Sequence, residues 1–205
     1  MVKQSNQNQD ANRSSTSTSN QSRNPAKKSP RSESAEASEG AGADNPLHEV
    51  FVDEVADVHS AEQQLIKALP KMAKAAQSEE LRTAFETHLE ETLAQVNRLK
   101  EAMESIGEPL KSKKCKAMEG LLAEGKEMME EHKGEPTIDA VLIAAAQKVE
   151  HYEIASYGTL IAWAKQLGHD DAAELLTETL DEEKAADEKL TGIAENTANT
   201  EAEEG

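Results

Sequence analysis

From Thr137 to Leu167 the chain reads TIDAVLIAAAQKVEHYEIASYGTLIAWAKQL. Leu142, Ala146, Val149 or Glu150, Glu153, Tyr157 and Leu160 follow one another at steps of three and four. That spacing stacks side chains on one face of an α-helix. Pro136 stands just before the stretch and Gly168 just after it, a start signal and a stop signal. The stripe is apolar except at Glu150 and Glu153, three residues apart, where the period asks for core residues and the sequence supplies carboxylates. A long helix whose core face is interrupted by acids is the feature from which the rest of the chain can be read.

The flanking sequence repeats the pattern. A first helix is expected from about Leu47 to Ala76, kinked at Pro70. A second follows Ser78, a good N-cap ahead of Glu79 and Glu80, and ends before Gly107. The helix quoted above is the third long one. A fourth opens at Asp170 and fades into an acidic tail after Ala194, which sets the domain limits at 46–195 for the bundle and 196–205 for that tail. The links within each pair are a few residues long, so each pair forms an antiparallel hairpin. About 30 residues separate the pairs, with a short helix expected over Ala117 to Glu131, enough to cross a bundle roughly 40 Å long. The predicted fold class is therefore all-α, a ferritin-like four-helix bundle of two hairpins joined by a long crossover with an extra short helix.

The 205 residues carry 40 acidic and 22 basic side chains, a net charge of −18. Such a surface repels nucleic acid and anionic membranes. Residues 1–45 lack Leu, Ile, Phe, Tyr and Trp and hold six basic against five acidic side chains, a balance of +1, which leaves −19 on the remainder. A segment of that composition cannot bury enough apolar surface to order itself, and a disordered polar tail is expected there. Its basic cluster Lys27-Lys28-Ser29-Pro30-Arg31 is read as solubilising rather than as a nucleic-acid contact. The single cysteine, Cys115, excludes an intramolecular disulfide and suits a reducing compartment. Lys113, Lys114 and Lys116 surround it, a setting that can lower a thiol pKa, but without a partner motif it is read as structural. No run is long and apolar enough to span a membrane or to act as a secretory signal, so a cytoplasmic location is expected.

Carboxylates interrupt every stripe. In the first helix Phe51, Val55 and Val58 lead to Glu62 and then to Leu65 and Leu69. In the second, Leu81 and Phe85 lead to His88 and then to Glu91 or Thr92, Gln95 and Leu99. In the fourth, Leu176 and Leu180 lead to Glu183, Asp187 and Leu190. All the interruptions lie near mid-helix and would meet at one level of the bundle. Six buried carboxylates without basic partners would each cost several kcal/mol if charged, whereas two divalent ions supply +4 and two trivalent ions +6. Oxygen ligands with one imidazole suit iron or manganese. His151 is expected to point away from the centre, and Tyr152, Tyr157 and Trp163 to serve packing.

The segments Ala61-Glu62-Gln63-Gln64-Leu65, His88-Leu89-Glu90-Glu91-Thr92, Val149-Glu150-His151-Tyr152-Glu153 and Leu180-Asp181-Glu182-Glu183-Lys184, with Lys114-Cys115-Lys116-Ala117-Met118-Glu119-Gly120 in the crossover, resemble the YciE/YciF-type ferritin-like family of bacterial stress proteins. The resemblance covers roughly residues 47–195. It implies a dimer, a rubrerythrin-like dimetal site and a role in stress response. Carried over by position, it implies the ligand set Glu62, His88, Glu91, Glu150, Glu153, Glu183 and Asp187. Ferritin-like sites commonly place Glu before His on the second and fourth helices; here His88 precedes Glu91, and the fourth helix offers Asp187 instead of a histidine.

Two function classes follow. One is a di-iron or di-manganese oxidoreductase of ferroxidase or peroxide-consuming type. In it Glu62 and Glu183 are terminal ligands, Glu91 with Glu150 or Glu153 bridge, and His88 supplies nitrogen to one ion. The other is a non-enzymatic, dimeric helical stress protein whose polar core is structural. A storage cage is a less favoured third reading. Metal ions, a second copy of the chain, and O₂ or peroxide are the expected partners.

Overall fold

The structure is a computed structural model, and it describes residues 45–205. Apart from Asn45, the expected N-terminal tail and its Lys27 to Arg31 cluster lie outside the described residues.

Helix α1 spans Pro46–Ala75. The side chain of Asn45 accepts from the Leu47 N–H at 3.0 Å, satisfying a donor that the first helical turn leaves free. Pro70 sits inside this one continuous helix, so the Ile66 carbonyl loses its usual intrahelical donor. Helix α2, Glu79–Ser105, is capped by Ser78. The short turn before it is pinned from across the bundle: Asp139 accepts from the Gln77 and Ser78 N–H groups at 2.8 and 2.7 Å.

Helix α3, Lys116–Glu131, is the short helix of the crossover, and its N-cap is Cys115, whose Sγ accepts from the Met118 N–H. Helix α4 is Ile138–Leu167, ended by Gly168 at φ 75°, a left-handed residue that a side chain would strain. Helix α5 is Asp170–Ile193. The expected fading after Ala194 does not occur. The chain passes through a π-turn at Ala194–Ala198 into α6, Asn199–Glu204. Ile193 and Ala198 are both buried in the core, and a wider turn brings two residues spaced five apart to one face, which keeps the acidic end helical.

Helix α1 packs on α2 and α4, and α5 packs on α2 and α4, closing a four-helix ring; α3 lies over α4 and α1. The two hairpins and the long crossover are those read from the link lengths. The apolar core falls into two clusters. One includes Leu69, Leu81, Phe85, Met118, Ile138 and Leu142, the other Phe51, Val55, Leu99, Met103, Leu160 and Leu176. Burying each large side chain stabilises the bundle by about 1.5–3 kcal/mol. No described helix is long and apolar enough to cross a membrane.

Candidate metal centre

A polar layer lies among these core residues. Glu62 comes from α1, His88 from α2, Glu150 and Glu153 from α4, and Glu183 from α5. Exposure is 0% for Glu62, Glu153 and Glu183, 3% for Glu150 and 5% for His88. His88, Glu150, Glu153 and Glu183 each offer a ligand atom such that all four atoms lie within 4.8 Å of one another. His88 Nε2 is 3.4 Å from Glu150 Oε1 and 3.8 Å from Glu183 Oε2. Glu62 adjoins the group from α1 and accepts from the Tyr157 hydroxyl at 2.5 Å.

The other two sequence-derived candidates stand at the rim. Glu91 Oε2 is 3.4 Å from His88 Nδ1, and the Glu91 side chain is 39% exposed. The buried stripe position beside it is taken by Thr92, whose hydroxyl donates to the His88 carbonyl. Asp187 accepts from Gln147 Nε2 at 3.2 Å and lies 3.5 Å from His151 Nε2. His151 itself is largely exposed, as expected.

Burial and crowding decide the protonation of this layer. Burial pushes Glu62 up to about 8, and the charge of Glu183 adds to the effect. Glu150 is likewise pushed up to about 8 by burial, with Glu62, Asp187 and Glu91 contributing. Glu153 and Glu183 rise well above the carboxylate range, again chiefly through burial. Burial opposes the imidazolium of His88, but the bond to Glu91 and the charges of Glu183 and Glu62 outweigh it and raise the ring.

Seven buried atoms of the layer have no hydrogen-bond partner: Glu62 Oε2, His88 Nε2, Glu150 Oε2 and both carboxylate oxygens of Glu153 and of Glu183. Such groups are costly unless something satisfies them. Among the described residues no lysine or arginine is ion-paired with these carboxylates. The donor set, oxygen-rich with one imidazole and deprotonatable, fits a hard or borderline divalent cation.

Three supporting features lie outside the residues that the apolar stripes single out. Tyr157, expected to serve packing, makes the hydrogen bond to Glu62; stripe spacing places it one turn beyond Glu153 without reporting that contact. Arg98 joins α2 to α5, donating to both Glu182 oxygens at 2.9 and 2.8 Å and to Thr179 at 2.7 Å, while Gln95 donates to the same Glu182. Cys115 is fully buried, its Sγ 3.1 Å from the Tyr152 hydroxyl, which donates to Asp57 at 3.2 Å. Burial, with Asp57 close by, pushes the thiol up instead of down, so the flanking lysines do not activate it.

Fold and site together define a ferritin-like helical bundle with an acid-lined core. Residues 46–203 match the family described as a domain of unknown function, DUF892, and the chain belongs to that family. It is 52% identical over 158 residues to protein YciF of Escherichia coli K12, which spans 77% of this chain and 95% of that relative. The crystal structure of the E. coli stress protein YciF superposes with a TM-score of 0.72, covering 75% of this chain and 97% of that one. YcfI of Rhodopseudomonas palustris, described as a candidate structural protein, gives a TM-score of 0.70 at 42% identity over 74% of this chain and 97% of that one. A Xanthomonas campestris protein 22% identical shares the fold, with a TM-score of 0.61 over 78% and 98% of the two chains.

Proposed function

We propose that the chain is a metal-binding stress-response protein whose core holds two iron or manganese ions. The observation that carries this reading is the set of unpartnered atoms on Glu62, His88, Glu150, Glu153 and Glu183, drawn from four helices into one buried layer. Glu150, Glu153, Glu183 and His88 would form the heart of the site, with Glu62 beside them and Glu91 and Asp187 closing its edge. Bound there, such a pair of ions supplies two-electron redox chemistry toward O₂ or peroxide. The protein's own part is to hold the donors in fixed positions, with Tyr157 orienting Glu62, and to keep bulk water out between two apolar clusters. The similarity to a stress protein supports a role in stress response, and the concrete form we propose is ferroxidase or peroxide-consuming protection by a cytoplasmic homodimer.

Elemental analysis of the purified protein tests the reading. About two iron or manganese ions per chain are expected, lost in Glu62→Ala and His88→Ala together with peroxide consumption. A folded chain that takes up no metal during anaerobic reconstitution with Fe(II) would instead favour a structural bundle, the class suggested by the description of YcfI.

A further inference from the structure

The five core donors are at most 5% exposed, so any cation reaching them must pass through protein. A cleft of about 110 Å³ opens between α2 and α5 with α4 beneath it. Its lining contains two members of the buried group, His88 and Glu150, and two carboxylates that solvent also reaches, Glu91 and Glu182. We propose that this cleft is the access route by which divalent cations enter the core, an inference that rests on the metal-binding reading and assigns its path.

The lining forms a graded series. Glu182, 30% exposed in its side chain, is held at the mouth of the cleft by Arg98 at 2.8 Å and Gln95 at 3.1 Å. Glu91, 39% exposed, lies within 3.4 Å of His88 Nδ1. His88 Nε2 in turn lies 3.4 Å from Glu150. A cation can therefore exchange water for carboxylate one ligand at a time, without a step in which it is bare in a low-dielectric interior. Three alanines, Ala84 on α2 and Ala185 and Ala186 on α5, are part of its walls. Lys189 is the one lysine or arginine in the lining, and it is exposed.

The test is a stopped-flow titration of the full-length apoprotein with Co(II), read by its visible absorption, in wild type and in Ala186→Phe. Ala186 is not a donor, so the final number of ions bound is expected to be unchanged, while the loading rate falls on the order of tenfold, as gating an access route does. Phe introduced at Leu93, an exposed α2 position outside the cleft, should leave the rate alone. Equal loading rates in wild type and Ala186→Phe would overturn the route and leave metal binding intact. A wild type that binds no Co(II), Fe(II) or Mn(II) would overturn the metal-binding reading itself. Circular dichroism on both variants separates a closed cleft from a damaged fold.

Discussion

The Tyr157 hydroxyl donates to Glu62 Oε1 at 2.5 Å, between the neighbouring helices α4 and α1, and neither residue has any exposed surface. The second oxygen of this carboxylate has no hydrogen-bond partner. Tyr157→Phe should therefore cost about 1–3 kcal/mol, the loss typical of stranding a buried acceptor. Because the bond also favours the charged carboxylate, Glu62 should titrate higher in the variant. Denaturant unfolding of metal-free protein measures the first effect, and carboxyl NMR titration the second. An unchanged unfolding midpoint would remove Tyr157 from the site.

Glu62 also sets a pH dependence whose sign can be worked out. Its ordinary value is 4.5 and burial pushes it to about 8 in the fold, so between those pH values the folded state holds a proton that the unfolded chain has released. Stability from this group is complete below about 4.5 and is lost as pH rises toward 8. Metal-free Glu62→Gln, which cannot ionise, should melt above metal-free wild type at pH 8, with the gap closing near pH 5. A gap independent of pH would contradict the raised carboxyl.

Arg98 links Glu182 and Thr179 on α5 to α2, with an ion pair to Glu178 at 3.3 Å. Its side chain is only 14% exposed, so these bonds are shielded from solvent competition. Arg98→Ala should lose about 1–3 kcal/mol, and Arg98→Lys should recover only part of it, because the two-pronged contact needs the guanidinium. Thermal unfolding of the three proteins at one ionic strength decides.

Cys115 is a helix cap before it is a thiol. Cys115→Ser keeps an acceptor for the Met118 N–H and should stay within about 1 kcal/mol of wild type, whereas Cys115→Val should fall further, by the ~1 kcal/mol that a lost N-cap typically costs. In the native protein the buried thiol, its pKa raised, should react with alkylating reagents far more slowly than after unfolding. Rapid native labelling would contradict this assignment.

These residues show what the sequence made legible and where it stopped. The hairpins and the crossover followed from link lengths and from Pro136, Gly168 and Ser78. The buried layer was legible because Glu62, His88, Glu150, Glu153 and Glu183 each break an apolar period. A period leaves an ambiguity of one position, however: Thr92, not Glu91, takes the buried stripe position of α2, and Glu91 turns toward the cleft. Tyr157 and Arg98 were not legible as site residues, because a hydrogen bond between helices depends on register and side-chain direction, and stripe spacing reports neither. Cys115, read as structural, shows a related limit: its lysine neighbours in sequence make a setting that can lower a thiol pKa, while in the fold burial and nearby Asp57 push it up. The helical end through Glu204 depends on Ala198 meeting the core after a π-turn, and composition does not encode that contact.

The central claim is that cations belong in the layer formed by Glu62, His88, Glu150, Glu153 and Glu183. Anomalous diffraction at the iron edge, from crystals of protein loaded with Fe(II) without oxygen, tests it most directly. The expected result is a pair of peaks inside the bundle, within roughly 2.0–2.3 Å of His88 nitrogen and of oxygens from Glu150, Glu153 and Glu183. A core free of anomalous signal, with iron only at surface carboxylates or nowhere, would contradict it.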